Sequence, residues 1–147
     1  RFKGRDGCRT PMPWVSDATN AGFSDATPWL PVSPAHFAQS VSVQDDDSNS
    51  ILNSYRQFLA WRHDQPAICY GDIAFLADSE NHLVFLRKLD GVQILCGFNF
   101  SDESIDVLLP QALQIDALEG HGFSTLSGDI AILPLAPYAS VFAKVLT

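Results

Sequence analysis

The run Gly4-Arg5-Asp6-Gly7-Cys8-Arg9-Thr10-Pro11-Met12-Pro13-Trp14 sets two arginines, an acid and an indole among two glycines and two prolines. Gly4 and Gly7 admit left-handed turns that other residues resist, while Pro11 and Pro13 fix φ and push Thr10 and Met12 toward extended backbone. Neither a helix nor a central strand fits, so the run reads as a rigid loop that presents fixed polar groups. Arg5 and Arg9 stand four apart with Asp6 between them. A guanidinium held in such a loop can clamp a carboxylate or sugar hydroxyls through directed N–H donors, and loops of this composition usually frame a site.

The irregularity continues outward. Pro28, Pro31 and Pro34 extend the series begun by Pro11 and Pro13, and residues 1–46 hold no sustained period of 2 or 3.6, which predicts an extended loop region. So long an irregular stretch is uncommon in an independent compact domain; it points to a functional loop or to a piece lying against something else. Trp14, Phe23, Trp29 and Phe37 are its natural anchors. Next, Asp45-Asp46-Asp47-Ser48 precedes Ile51, Leu52, Tyr55, Phe58 and Leu59, which trace one helical face. This predicts a helix from Ser48 to His63, its N-terminus complemented by the acids, a duty that outweighs calcium ligation, and its end set by Gln65-Pro66.

From Ala67 the texture changes to short β-favouring runs at Ile73–Ala77, Leu83–Leu89, Val92–Phe98, Ser104–Leu109 and Ala139–Val145, with a weaker pair around Asp116–Leu118 and Ile130–Leu133. Asp90-Gly91 is a compact hairpin signal and Ser127-Gly128-Asp129 another turn. Short connections favour antiparallel neighbours, so the expected fold is mainly β, with an antiparallel β-sandwich in the C-terminal part. Its expected core includes Phe75, Phe85, Phe98, Phe100, Tyr138 and Phe142, whereas His82, His121 and Lys144 read as surface or turn residues.

Composition narrows the function. The chain has 147 residues, 46% of them apolar, and a net charge of −8 with only nine Lys and Arg, which argues against nucleic acid as a partner. No apolar run approaches the ~18–20 residues that span a bilayer. The first residues lack a secretory layout, so no membrane partner and a cytoplasmic location are expected. Cys8, Cys69 and Cys96 are odd in number and irregular in spacing, which disfavours a disulfide framework. Cys69 and Cys96 read as buried small hydrophobes and Cys8 as more exposed. His36, His63, His82 and His121 are scattered, so neither a metal nor another cofactor is expected. The start at Arg1, without methionine, reads as a truncated chain.

The opening run resembles the Arg-Asp-x-x-Arg-Thr-Pro-Met-x-Trp segment of the α-amylase superfamily of glycoside hydrolases, in its α-glucosidase and oligo-1,6-glucosidase branch. Three further runs match in order: Asn20-Ala21-Gly22-Phe23 with Pro28-Trp29-Leu30-Pro31-Val32, then Asp47 to Arg56, then Arg56, Leu59, Ala60, Trp61 and Arg62. The resemblance is specific over residues 1–65 and general over 66–147. It implies that residues 1–65 are the end of a truncated (β/α)8 catalytic barrel, an active-site loop followed by the last barrel helix, and that 66–147 are the C-terminal β-sandwich domain. The loop anchors would then pin it to the missing N-terminal barrel.

The resemblance also places the chemistry. Glycoside hydrolysis with retention needs two carboxylates, and in this family they precede the opening loop. No catalytic residue is therefore expected here, and the piece alone should be inactive. Arg5 matches the arginine that reaches the innermost glucose subsite, with Asp6 orienting it. Arg9 is a second substrate contact or a loop ion pair, and Trp14 reads first as a loop anchor and second as a stacking platform. Phe2 and Lys3 could border the outer subsite. Pro13 replaces a glutamine common in oligo-1,6-glucosidases and looks more like bacterial α-glucosidases. The implied partner is an α-glucoside or maltooligosaccharide. A transglycosylating relative, a non-catalytic amylase-like transporter subunit and a free-standing carbohydrate-binding module are the alternatives.

Overall fold

The structure, a computed structural model, describes residues 4–146, and the chain divides into two compact units, Arg1–Arg56 and Gln57–Thr147. The first unit is built from 3-10 turns at Asp6–Cys8 and Thr19–Gly22, short helices α1 (Pro34–Phe37) and α2 (Val41–Asp46), and the start of α3 (Ile51–His63). The two short helices correct the expectation of unbroken loop. Neither is long enough to display a helical period, so pattern reading passes over them.

The acid cluster also does different work from that expected. Asp45 and Asp46 close α2, and no acid lies in the first turn of α3. Ser50 takes the capping position instead: its Oγ accepts the backbone N–H of Asn53 at 3.1 Å, three residues on. Asp47 accepts the N–H of Asn49 in a local turn, and Asp45 pairs with Arg56.

The second unit holds the end of α3, α4 (Pro66–Tyr70) and six strands: β1 (Asp72–Asp78), β2 (His82–Leu89), β3 (Val92–Asn99), β4 (Ile105–Ala117), β5 (Gly128–Leu135) and β6 (Ser140–Val145). Pro66 both stops α3 and starts α4, where its missing N–H is harmless. The strands form one antiparallel sheet in the order β1-β2-β3-β6-β4-β5. The expected Asp90-Gly91 hairpin is present, with Leu89 opposite Val92 and both turn residues at positive φ. The two weaker or shorter runs Ser104–Leu109 and Asp116–Leu118 belong to a single strand, β4, which carries Pro110. There the β4–β5 register shifts between Leu108 and Leu113, as a residue without an N–H requires.

The sheet curls, so the sandwich core lies between its own two halves. Val84, Leu95, Ile115, Leu133 and Leu135 are sealed from solvent in one aliphatic cluster. Gly97 on β3 makes the closure possible, since a Cβ there would lie 2.7 Å from a Leu133 methyl of β5. The aromatic core expectation holds in part: the cluster inside the curl is aliphatic, while Phe142 is buried in a second core cluster against which Phe85 and Phe98 pack. Phe85, Phe98 and Phe142 lie instead on the opposite face, with Trp61, Ala67, Ile94 and Cys96, where α4 and the end of α3 pack; Phe75, Phe100 and Tyr138 are exposed.

His121 is the other departure. It is 1% exposed, not a surface residue, and its ring meets Trp61 edge-on at 5.1 Å and Phe142 at 5.4 Å. Nδ1 accepts the Phe123 N–H at 3.0 Å, while Nε2 is buried without a hydrogen-bond partner among the described residues. Burial depresses its proton affinity, against the opposing pull of the Leu118 carbonyl and the Glu119 carboxylate.

Candidate functional site

The Gly4–Trp14 loop has a fixed rear and an open front. Pro11 is buried. At the rear, the carbonyls of Pro13 and Trp14 accept the N–H groups of Val41 and Ser42 at 2.9 Å each. Those are the first two donors of α2, which have no partner within the helix, so the loop and the helix satisfy each other. Trp14 and Val15 in turn donate to the carbonyl of Ala21, at 2.9 and 3.0 Å.

That carbonyl is placed by an unusual turn. Asn20, Ala21 and Gly22 are all left-handed, at φ 51°, 55° and 70°. The conformation costs a residue with a Cβ about 1 kcal/mol or more, and two interactions offset it. Asn20 Nδ2 donates to the carbonyls of Ser24 at 2.8 Å and Ala26 at 3.0 Å, and the Ala21 methyl is fully buried. Sequence reading singled out Asn20-Ala21-Gly22-Phe23 only by resemblance. The local signal was Asn before Gly, since these two tolerate positive φ best.

The order passes on to α3. Asn53 Nδ2 donates to the carbonyls of Gln44, Asp45 and Asp47 at 3.0, 3.2 and 2.9 Å, closing the exposed end of α2. Gln44 Oε1 accepts the Leu52 N–H at 3.2 Å, and Ser50 Oγ donates to the Gln44 carbonyl at 2.7 Å. One polar hub thus ties α2 to the start of α3.

At the front, Arg5 and Arg9 are exposed and Asp6 is half-buried at the head of its 3-10 turn. The turn is held by the Arg5 carbonyl, which accepts from the Cys8 N–H at 3.1 Å, and by the Asp6 carbonyl, which accepts from the Arg9 N–H at 3.1 Å. Among the described residues neither arginine forms an ion pair. Their donors therefore face solvent. Trp14 is 49% exposed although its backbone is fixed. A concavity of about 320 Å³ lies beside the loop, lined by Thr10, Pro11, Met12, Pro13, His36 and Gln39. Phe2 and Lys3 lie outside the described residues.

The arrangement can bind polar hydroxyls or an anion. Among the described residues no three His, Cys, Asp or Glu side chains converge as a metal site would require, and no helix is long and apolar enough to cross a membrane. Cys96 is buried, and desolvation pushes its thiol up to about 12, so it is inert; Cys69 is half-buried and Cys8 exposed.

Comparison with known proteins bears on the family of the chain. Residues 1–71 match the catalytic-domain model of the alpha-amylase family. The chain is 48% identical over 122 residues to a probable alpha-glucosidase of Rhizobium meliloti, covering 83% of this chain and 22% of that protein. It is 34% identical over 110 residues to the oligo-1,6-glucosidase of Parageobacillus thermoglucosidasius, covering 74% and 19%. Among solved structures, the alpha-glucosyl transfer enzyme XgtA superposes with a TM-score of 0.85 at 42% identity, over 99% of this chain and 27% of the enzyme. Isomaltulose synthase of Erwinia rhapontici does so with a TM-score of 0.82 at 31% identity, over 98% and 26%, in structures that hold D-glucose or sucrose. The chain belongs to the alpha-amylase family. Its homologues there are α-glucosidases, oligo-1,6-glucosidases and glucosyl-transfer enzymes, of which it spans about a fifth to a quarter of the length.

Proposed function

We propose that this chain is the C-terminal part of a retaining α-glucosidase, in which residues 1–65 complete the catalytic barrel and residues 66–147 form the domain that follows it. The carrying observation is the division of labour in the Gly4–Trp14 loop, whose rear is fixed by backbone hydrogen bonds while Arg5 and Arg9 remain open at its front. Such a surface serves as one wall of a sugar pocket. The two carboxylates that retention requires come from the missing N-terminal barrel. Arg5 reaches the innermost glucose, bonding its hydroxyls and keeping a neighbouring carboxylate ionised. Asp6 orients Arg5, Arg9 is a second contact, and the Trp14 face borders the sugar. The substrate is a short α-glucoside or maltooligosaccharide, and the protein works in the cytoplasm without a cofactor.

A second reading is favoured by the likeness to XgtA and to isomaltulose synthase. The same wall serves a glucosyl transfer in which a sugar hydroxyl replaces water as acceptor. Product analysis separates the two. Given maltose or sucrose, the longer polypeptide releases free glucose under the hydrolytic reading and accumulates new oligosaccharides or an isomeric disaccharide under the transfer reading. No turnover of any α-glucoside by the longer polypeptide would contradict both. Residues 1–147 alone are expected to turn over nothing.

A further inference from the structure

The segment 118–127, which joins β4 to β5, is fastened to its unit by few bonds. Among the described residues it makes no backbone-to-backbone hydrogen bond, and two side chains hold it. Gln57 of α3 donates from Nε2 to the Gly120 carbonyl at 3.1 Å, and His121 Nδ1 accepts the Phe123 N–H at 3.0 Å. Two glycines bring the backbone close to α3: a Cβ at Gly120 would lie 3.4 Å from the Trp61 ring, and one at Gly122 3.2 Å from the Gln57 amide. The buried His121 ring sits among aromatic rings, edge-on to Trp61 and stacked on Phe123 at 5.8 Å, with Phe142 beside it.

This anchorage depends on the charge of one ring. Nδ1 holds the Phe123 N–H only as an acceptor, so His121 is the neutral tautomer with its proton on Nε2. A proton added to Nδ1 would set two donors against each other and place a full charge among apolar rings. α3 and β6 meet the ring with Trp61 and Phe142, neither of which ionises in the relevant range, and Cys96 in the same cluster stays a neutral thiol. Glu119, on the segment itself, is the charged group that acts on His121; with the Leu118 carbonyl it favours the charged ring, and burial outweighs both.

We propose that His121 is an acid-released latch: neutral, it fastens residues 118–127 to α3, and protonated, it lets that segment swing away while the sheet stays folded. Release uncovers Trp61 and Phe58, which packs edge-on against Phe123. The same segment supplies Ser124, Thr125 and Leu126 to the wall of a concavity of about 360 Å³, whose lining includes the buried Leu135 and Val141. Its departure therefore opens a way toward the aliphatic core.

Amide hydrogen exchange of the 147-residue chain, corrected for intrinsic exchange rates, tests the latch between pH 7.5 and 5. In the open state His121 regains an ordinary proton affinity centred near pH ~6.5, so protection of the Phe123 amide should fall ~tenfold or more over that range while β2 and β3 keep theirs. His121→Asn, whose side-chain carbonyl can accept the Phe123 N–H and which does not titrate, should show no such fall. In the parent, the imidazole titration followed by NMR should coincide with the change at Phe123, a readout that needs no variant. A fall shared by the whole sheet, the same fall in His121→Asn, or titration of His121 with the Phe123 amide still protected overturns the proposal.

Discussion

The two units are held together by different physics. Among the described residues of the first unit the buried apolar side chains are few, Pro11, Ala21 and Leu30, and the buried polar residues Ser40 and Ser50 stand among them. Order there comes from backbone carbonyls, Asn20 and Asn53, while Trp14, Phe23 and Trp29 remain exposed. In Gln57–Thr147 two apolar clusters do the work and the polar network is secondary. Hydrogen bonds contribute only about 0.5–1.5 kcal/mol each, so the first unit has shape without a large stabilising reserve. A unit built to present arginines and open rings to something else has that character. One built to stabilise has the other.

The sharpest contrast comes from deleting one side chain in each unit. Trp61→Ala removes the ring that joins Phe58, His121 and Phe142, and should cost about 3–5 kcal/mol in chemical denaturation. Asn53→Ala removes the donor to three carbonyls. It should cost about 1–3 kcal/mol and raise hydrogen exchange at residues 44–53 while leaving the strands protected. Equal exchange in both units after Asn53→Ala would erase the distinction drawn above.

A pH series probes the second unit alone. Because burial lowers the proton affinity of His121 in the folded state, its contribution is complete above the unfolded value of about 6.5 and is lost as pH falls below that toward the lower folded value. Melting temperatures should therefore drop between pH 7.5 and 5 more in the parent than in His121→Gln. The smallest effect concerns thiols. Cys8 should react readily with an exposed-thiol reagent and Cys96 not at all until the sheet unfolds.

Legibility in the sequence followed the same division. Strands of the second unit were readable where β-branched and apolar residues alternate between strong turns, as in β2 and β3 around Asp90-Gly91. Pro110 broke the pattern of β4 into two apparent strands because a bulge keeps the strand going where the residue pattern reads as an end. His121 was misplaced because its burial depends on Trp61 and Phe142, which are distant in sequence. In the first unit, Arg5, Asp6, Arg9 and Trp14 could be named from composition and resemblance. The backing that fixes the loop could not, since left-handed Ala21 and the Asn53 hub are set by tertiary contacts and leave no period.

If the front of the opening loop forms a sugar-pocket wall led by Arg5, removing that side chain must show in the steady-state kinetics of Arg5→Ala in the longer polypeptide. The expected result is a loss of kcat/KM of about a hundredfold or more, equivalent to about 2.7 kcal/mol, with an unchanged melting temperature because Arg5 is exposed. Kinetics indistinguishable from the parent would contradict the account.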